Sequence, residues 1–125
     1  MLNIATWNLC LGLKNKKDTV YSCLIEENID IALLQEVDIK KEYPIEVLTN
    51  KEYRLEVETS NIKSRCAIAI KNNINYKRRT DLEGEDLSLV IIDVTSTTNY
   101  RIINIYRQFH PPPTTYLKQT TLVFS

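Results

Sequence analysis

The chain has 125 residues, 43% of them hydrophobic and 26% charged, the size and make-up of one globular domain. Its content of Ile, Leu and Val excludes low-complexity disorder, and Gly 2 and Pro 4 exclude a collagen-like or linker-rich chain. Sixteen basic against sixteen acidic side chains give a formal net charge of zero, so no global pull toward nucleic acid or an anionic membrane follows.

No apolar run approaches the roughly 18 residues needed to cross a bilayer. The start, Met1-Leu2-Asn3-Ile4, has no basic region followed by an apolar core, so no signal peptide is expected. An intracellular protein, nuclear or cytoplasmic and without a membrane partner, is the expectation. Cys10, Cys23 and Cys66 are odd in number and form no Cys-x-x-Cys pair. They read as reduced thiols rather than a disulfide frame or a zinc site.

Leu2 to Cys10 reads as a strand, with Gly12 permitting a tight exit. Val20, Tyr21, Leu24 and Ile25 recur at helical spacing within Asn15 to Asn28. Asn15 and Asp18 are the candidate caps, while Lys16 and Lys17 oppose the macrodipole. Ile29 to Gln35 reads as a strand buried on both faces. Asp38 to Leu48 is charged and interrupted by Pro44, with room for a helical turn or two. Tyr53 to Glu58 alternates as a half-exposed strand, and Arg65 to Ile70 is another. Ile74 to Arg79 reads as a short edge strand blunted by Lys77, Arg78 and Arg79. A loop over Asp81 to Asp86 leads into Ser88 to Thr95 and Tyr100 to Tyr106, a predicted hairpin. Pro111-Pro112-Pro113 cannot continue a ladder. Thr114 to Ser125 admits a helix with Leu117, Thr121 and Phe124 on one face.

The order strand, helix, strand, then a run of strands predicts an α/β fold with a mixed sheet and flanking helices. The runs IALL, CAIAI, LVII and IINI look covered on both faces, yet the sequence offers one convincing helix. A second covering layer is therefore expected to be missing, leaving an apolar face open.

Asn8 lies near the carboxyl end of the first strand and Glu36 directly follows the second. Parallel strands bring both to one sheet edge, where open α/β sheets hold their ligands. Tyr106 ends the last strong strand and reaches the same rim if that strand runs the same way. A carboxylate and an amide oxygen suit a hard cation. On spacing alone, the plainer readings are a solvated acid, a turn amide bonded to its own backbone, and a core aromatic with a satisfied hydroxyl.

Thr6-Trp7-Asn8-Leu9, then Leu33-Leu34-Gln35-Glu36-Val37, then Asn104-Ile105-Tyr106-Arg107 followed by prolines resembles the endonuclease/exonuclease/phosphatase superfamily. That group includes DNase I, abasic-site endonucleases, inositol-polyphosphate phosphatases and neutral sphingomyelinases. The resemblance covers the whole chain and is strongest to the endonuclease domain of LINE-like (non-LTR) retrotransposons, carried by Ile70 to Asn73, Tyr76 to Glu83 and Tyr100 to Arg107. It implies the N-terminal half of a DNase I-like four-layer α/β/β/α sandwich of two packed mixed sheets. It also implies a Mg²⁺-dependent (or Mn²⁺-dependent) hydrolase that nicks DNA to expose a 3′ hydroxyl for reverse transcription. Glu36 matches the metal-ligating glutamate, and Asn8 the active-site amide beside the metal. Tyr106 matches the tyrosine on the scissile phosphate, with Arg107 as a neighbouring phosphate contact.

The family's Gly-Asp-x-Asn and Ser-Asp-His motifs do not occur here, and His110 in Phe109-His110-Pro111 does not match the catalytic histidine. The position two after Asn8, acidic in some members, is Cys10. The expectation is a partial domain over residues 1–125, with the second sheet and its helices absent and no activity by itself. A C-terminal half or a reverse transcriptase domain would be the missing partner. Lys14 to Lys17 and Lys77 to Arg79 are either phosphate contacts or solvated surface charge. Two other readings stay open: a phosphatase or lipid phosphodiesterase of the same superfamily, and a non-catalytic relic or partner-binding fragment.

Overall fold

Ile4, Thr6 and Asn8 alternate with Ala5 and Trp7 to form strand β1 (Ile4–Asn8). The computed structural model describes residues 2–10, 12–59, 63–84, 88–96, 99–109 and 116–124, with side chains described as far as Tyr106. Helix α1 (Lys17–Glu26) follows and buries Val20, Tyr21 and Leu24 on one face. Neither expected cap is used: Lys16 holds the N-cap position without a side-chain hydrogen bond, and Asp18 lies inside the first turn, where its charge suits the macrodipole. The two lysines turn away from the helix end. The Lys16 ammonium donates to the carbonyls of Leu9 and Cys10, and that of Lys17 to Val47 at 2.8 Å. Asn28, at φ 53°, takes the left-handed position that closes the helix, with Ile29 N–H returning to Leu24 C=O at 2.9 Å.

Strand β2 (Ile31–Lys40) pairs in parallel with β1, from Ile4↔Ile31 to Asn8↔Gln35. It runs past Gln35, where the sequence pattern ends it, because it resumes pairing beyond an irregularity between Gln35 and Ile39. Pro44 opens a single 3₁₀ turn, Ile45–Leu48. Strands β3 (Tyr53–Val57) and β4 (Lys63–Lys71) pair antiparallel and complete a mixed sheet in the order β1-β2-β4-β3. On its outer face Ala32, Leu34, Val37, Ala67 and Ala69 pack with Tyr21, Leu24, Leu48 and Tyr53. The Tyr21 hydroxyl donates to Leu48 C=O at 2.7 Å, satisfying a buried polar group.

A second sheet is present, contrary to the expectation from the strand inventory. Strands β5 (Tyr76–Arg78), β6 (Ser88–Val94), β7 (Tyr100–Phe109) and β8 (Tyr116–Phe124) lie in that order, all antiparallel. β5 is the predicted edge, and β6–β7 the predicted hairpin. The 116–124 segment is a strand, not the helix its apolar spacing allowed. Its β-branched residues favour extended backbone, and it satisfies the open edge of β7 from Arg101↔Phe124 to Phe109↔Tyr116.

The apolar runs of the two sheets cover one another on their facing sides. Ile31, Leu33, Cys66, Ile68 and Ile70 of the first sheet form one core with Val90, Ile92, Val94, Ile102 and Tyr106 of the second. The other face of the second sheet carries Leu89 and Ile91 opposite Ile105 and Ile103. Among the described residues α1 is the one α-helix, and it packs on the first sheet. None of the described helices is long and apolar enough to cross a membrane.

Two buried amides join the sheets. Gln35 Nε2 donates to Asn104 Oδ1 at 3.0 Å, and Asn104 Nδ2 donates to the carbonyls of Leu34 at 3.1 Å and Ala67 at 2.9 Å. Both side chains are fully buried. Asn104→Ala deprives these groups of partners in a water-free layer, each worth about 1–3 kcal/mol when left unsatisfied. A loss on the order of 3 kcal/mol is expected in urea unfolding. A loss below about 0.5 kcal/mol would show that the amide contact does not hold the sheets together.

Candidate active site

The site is built at the carboxyl end of β1, at an irregularity within β2 and in the carboxyl half of β7. Glu36, Val37 and Asp38 on β2 span the interval that Arg65 alone spans on β4, between Gln35↔Cys66 and Ile39↔Ser64. The extra residues are accommodated by left-handed backbone at Glu36 (φ 55°) and Asp38 (φ 50°). Such a bulge re-aims side chains that a regular strand would alternate between faces. Val37 stays in the helix-side core, while the acids on either side of it remain partly exposed.

The chain leaving β1 is bonded onto this bulge. Leu9 N–H donates to Gln35 C=O at 2.9 Å, Gly12 N–H to Glu36 C=O at 3.0 Å, and Leu13 N–H to Val37 C=O at 2.9 Å. Gly12 sits at φ 102°, with the space for a Cβ bounded by Val37 O at 3.4 Å. That is the tight exit expected there. Asn8 is the register partner of Gln35, one residue before Glu36. Its Oδ1 accepts the Cys10 N–H at 2.9 Å, the turn role that the plainer reading assigned. An amide oxygen has a second lone pair, so this bond leaves an acceptor position on Asn8.

Tyr106 comes from the facing sheet. Its ring is buried between the sheets, and its hydroxyl accepts from Arg65 Nη2 at 3.0 Å. The Arg65 guanidinium lies 4.9 Å from the ring centroid. Arg65 Nε also meets Asp38 Oδ1 at 2.8 Å, an ion pair whose two atoms are buried and not aligned as a hydrogen bond. Burial raises the Tyr106 hydroxyl above the ordinary phenol range. The Arg65 charge opposes that rise, and the Glu36 and Asp38 carboxylates add to it.

The structure thus places Asn8 beside Gln35, one residue before Glu36, and brings Tyr106, through Arg65, against the bulge that carries Glu36 and Asp38. The Arg107 side chain, His110 and the proline run lie outside the described residues. Sequence reasoning missed Asp38 and Arg65. Asp38 stands two residues from Glu36, an interval that predicts the same face only for a regular strand. The two basic segments are largely engaged within the fold. Arg78 pairs with Glu83 at 2.6 Å and Glu56 at 3.1 Å, and Arg79 with Asp93 at 2.7 Å and Asp81 at 2.8 Å. Lys14 lies over the Tyr43 ring at 4.8 Å. Burial pushes the Cys66 thiol up in pKa, so that cysteine is a protonated core residue.

Among the described residues no three His, Cys, Asp or Glu side chains converge as a metal cluster. The oxygen donors at the rim are instead the Asn8 amide and two partly exposed carboxylates, Glu36 and the Arg65-paired Asp38. That set fits Mg²⁺ or Mn²⁺ rather than a softer ion: Mg²⁺ is held by one or two carboxylates and keeps several waters.

No family model and no curated protein matches the sequence. Among solved structures, the endonuclease domain of TRAS1, a telomere-specific non-LTR retrotransposon, superposes with a TM-score of 0.62 at 15% identity, over 90% of this chain and 48% of that chain. The two share a fold, and this chain spans about half the length of its neighbour.

The backbone strain is concentrated at the site. A left-handed conformation costs a non-glycine residue about 1–2 kcal/mol, whereas glycine in its place adds about 0.5–1 kcal/mol of unfolded-state entropy to be lost. Glu36→Gly is therefore expected to leave stability unchanged or raised by up to about 1 kcal/mol in urea unfolding. A loss above about 1 kcal/mol would mean that the Glu36 side chain serves the fold rather than the rim.

Proposed function

We propose that residues 1–125 are the front part of a Mg²⁺-dependent phosphodiester endonuclease domain that nicks DNA, of the kind carried by non-LTR retrotransposons. The observation that carries this reading is the convergence of Asn8, Glu36 and Tyr106 from two different sheets on one rim. The shared fold with a retrotransposon endonuclease domain supports it. Glu36 holds the cation as a carboxylate, and Asn8 adds an amide oxygen beside it. The Tyr106 hydroxyl, with Arg107 next in sequence, contacts the phosphate. When bound, the cation supplies positive charge to a phosphoryl oxygen and to the leaving oxygen.

The chain carries neither a Gly-Asp-x-Asn nor a Ser-Asp-His sequence, the two motifs that the family resemblance assigns to water activation and phosphate contact. On this reading the 125 residues bind the cation and phosphate but do not turn over efficiently. Removing members of a catalytic unit costs orders of magnitude in rate. A C-terminal half would complete the site.

Thermal unfolding of the full chain with and without Mg²⁺ tests the assignment. A ligand that binds only the folded state at about 100 times its dissociation constant stabilises it by about 2.7 kcal/mol. Wild type is expected to show an Mg²⁺-dependent rise in Tm that Glu36→Gln lacks. An equal response in both proteins would overturn the placement of the cation at Glu36. Supercoiled-plasmid nicking by a longer chain containing both motifs is expected to disappear with Glu36→Gln.

A further inference from the structure

Arg65 is the residue on β4 that faces the bulge, and its guanidinium touches three parts of the rim. It donates to the Tyr106 hydroxyl oxygen at 3.0 Å, lies 4.9 Å from the Tyr106 ring centroid, and pairs with Asp38 at 2.8 Å. The Arg65 side chain is 27% exposed and that of Asp38 17%, so the pair is only lightly screened by water.

We propose that Arg65 is a positioning residue for Tyr106: by occupying the phenol oxygen as a donor, it turns the buried hydroxyl's proton away from the guanidinium and keeps it free for a phosphate oxygen bound beside Glu36. The phosphate rests on the endonuclease reading above, whereas the orientation of the phenol does not.

The inference follows from donor arithmetic. A guanidinium has N–H groups and no acceptor, and a phenol has one proton to give. With Arg65 donating, the Tyr106 oxygen is the acceptor, so its proton cannot lie on the Arg65 side. Among the described residues no acceptor takes that proton. Asp38 faces Arg65 with its Oδ1 and lies 4.0 Å from the Lys63 ammonium with its Oδ2. The stacked guanidinium limits ring rotation, and the Asp38 pair anchors the guanidinium in turn. The phenol is thereby prepared to donate to an anion before one arrives, which is the value of a preorganised donor. A lysine at this position would supply a donor but not the planar stack.

Ultraviolet resonance Raman spectroscopy of the full chain tests this. The tyrosine Fermi doublet distinguishes an accepting phenol from a donating one. With seven tyrosines in the chain, the Tyr106 signal is isolated as wild type minus Tyr106→Phe. The expected difference spectrum is that of an acceptor. Its loss is expected in Arg65→Met, judged against Arg65→Met with Tyr106→Phe, and its retention in Arg65→Lys. A donating phenol in the wild-type difference overturns the proposal even if Arg65→Met fails to fold. So does an unchanged acceptor signal in folded Arg65→Met. Adding inorganic phosphate with Mg²⁺ is expected to shift the wild-type signal to accepting and donating together. In a chain whose Tm rises with Mg²⁺, an acceptor phenol that phosphate leaves unchanged overturns the positioning role. Failure of the endonuclease reading shows separately, as a wild-type Tm that does not respond to Mg²⁺.

Discussion

The contact between Gln35 and Asn104 sets the geometry of the molecule. Each amide is buried in an otherwise apolar layer, so each must find a partner or lose its hydration without compensation. Aliphatic side chains between two sheets tolerate sliding, because dispersion and apolar burial are non-directional. A directional bond at 3.0 Å does not. Gln35 immediately precedes Glu36 on β2, and Asn104 stands two residues before Tyr106 on β7. Locking these amides therefore locks the acid of one sheet against the phenol of the other. Thr6 extends the link to β1, accepting from Gln35 Nε2 at 3.1 Å, so the strand that ends at Asn8 joins the same registration.

The bulge converts that registration into a rim. Without the residues intercalated opposite Arg65, Glu36 would point to the α1 side of the sheet with Leu34, by strict alternation. Left-handed backbone at Glu36 and Asp38 departs from that alternation. Neither residue is glycine, so the strain is unrelieved locally and is held by the surroundings: the bonds from Gly12 and Leu13, the burial of Val37 and the Asp38–Arg65 pair. Strain of this type collects where a chain has more to do than fold.

The sequence was most legible where period and length coincide. The β-α-β opening, the edge strand blunted by arginines and the β6–β7 hairpin follow from alternation, helical spacing and turn residues. Asn8 ends β1 where the pattern placed it, whereas Glu36 and Tyr106 lie inside strands that continue past the ends the pattern gave them, to Lys40 and Phe109. The illegible parts are those decided by partners distant in sequence. An apolar run records that both faces are covered but not by what. The runs in β4, β6 and β7 cover each other on one face, so the sheet expected to be missing is present, while the far face of β6 and β7, with Leu89, Ile91, Ile103 and Ile105, has no α-helix against it among the described residues. The 116–124 segment has apolar spacing compatible with a helix, and only the open edge of β7 decides for a strand. A bulge leaves no compositional trace when it lacks glycine, so Asp38 and its pair with Arg65 could not be anticipated.

Charge allocation bears on how such a surface would meet a polyanion. Arg54 donates to Ile74 C=O at 2.6 Å and stacks on Tyr76. Arg65, Arg78, Arg79 and Arg101 each pair with a carboxylate. Every arginine whose side chain is described thus already has an internal partner. Non-specific affinity for DNA grows with the number of phosphates that free cations neutralise, and this chain is neutral overall with its described arginines committed. Phosphate recognition then concentrates where geometry rather than net charge provides it. Arg65 illustrates the difference. Paired with Asp38, it contributes little net charge to the rim, yet it still donates to the Tyr106 hydroxyl of the opposite sheet.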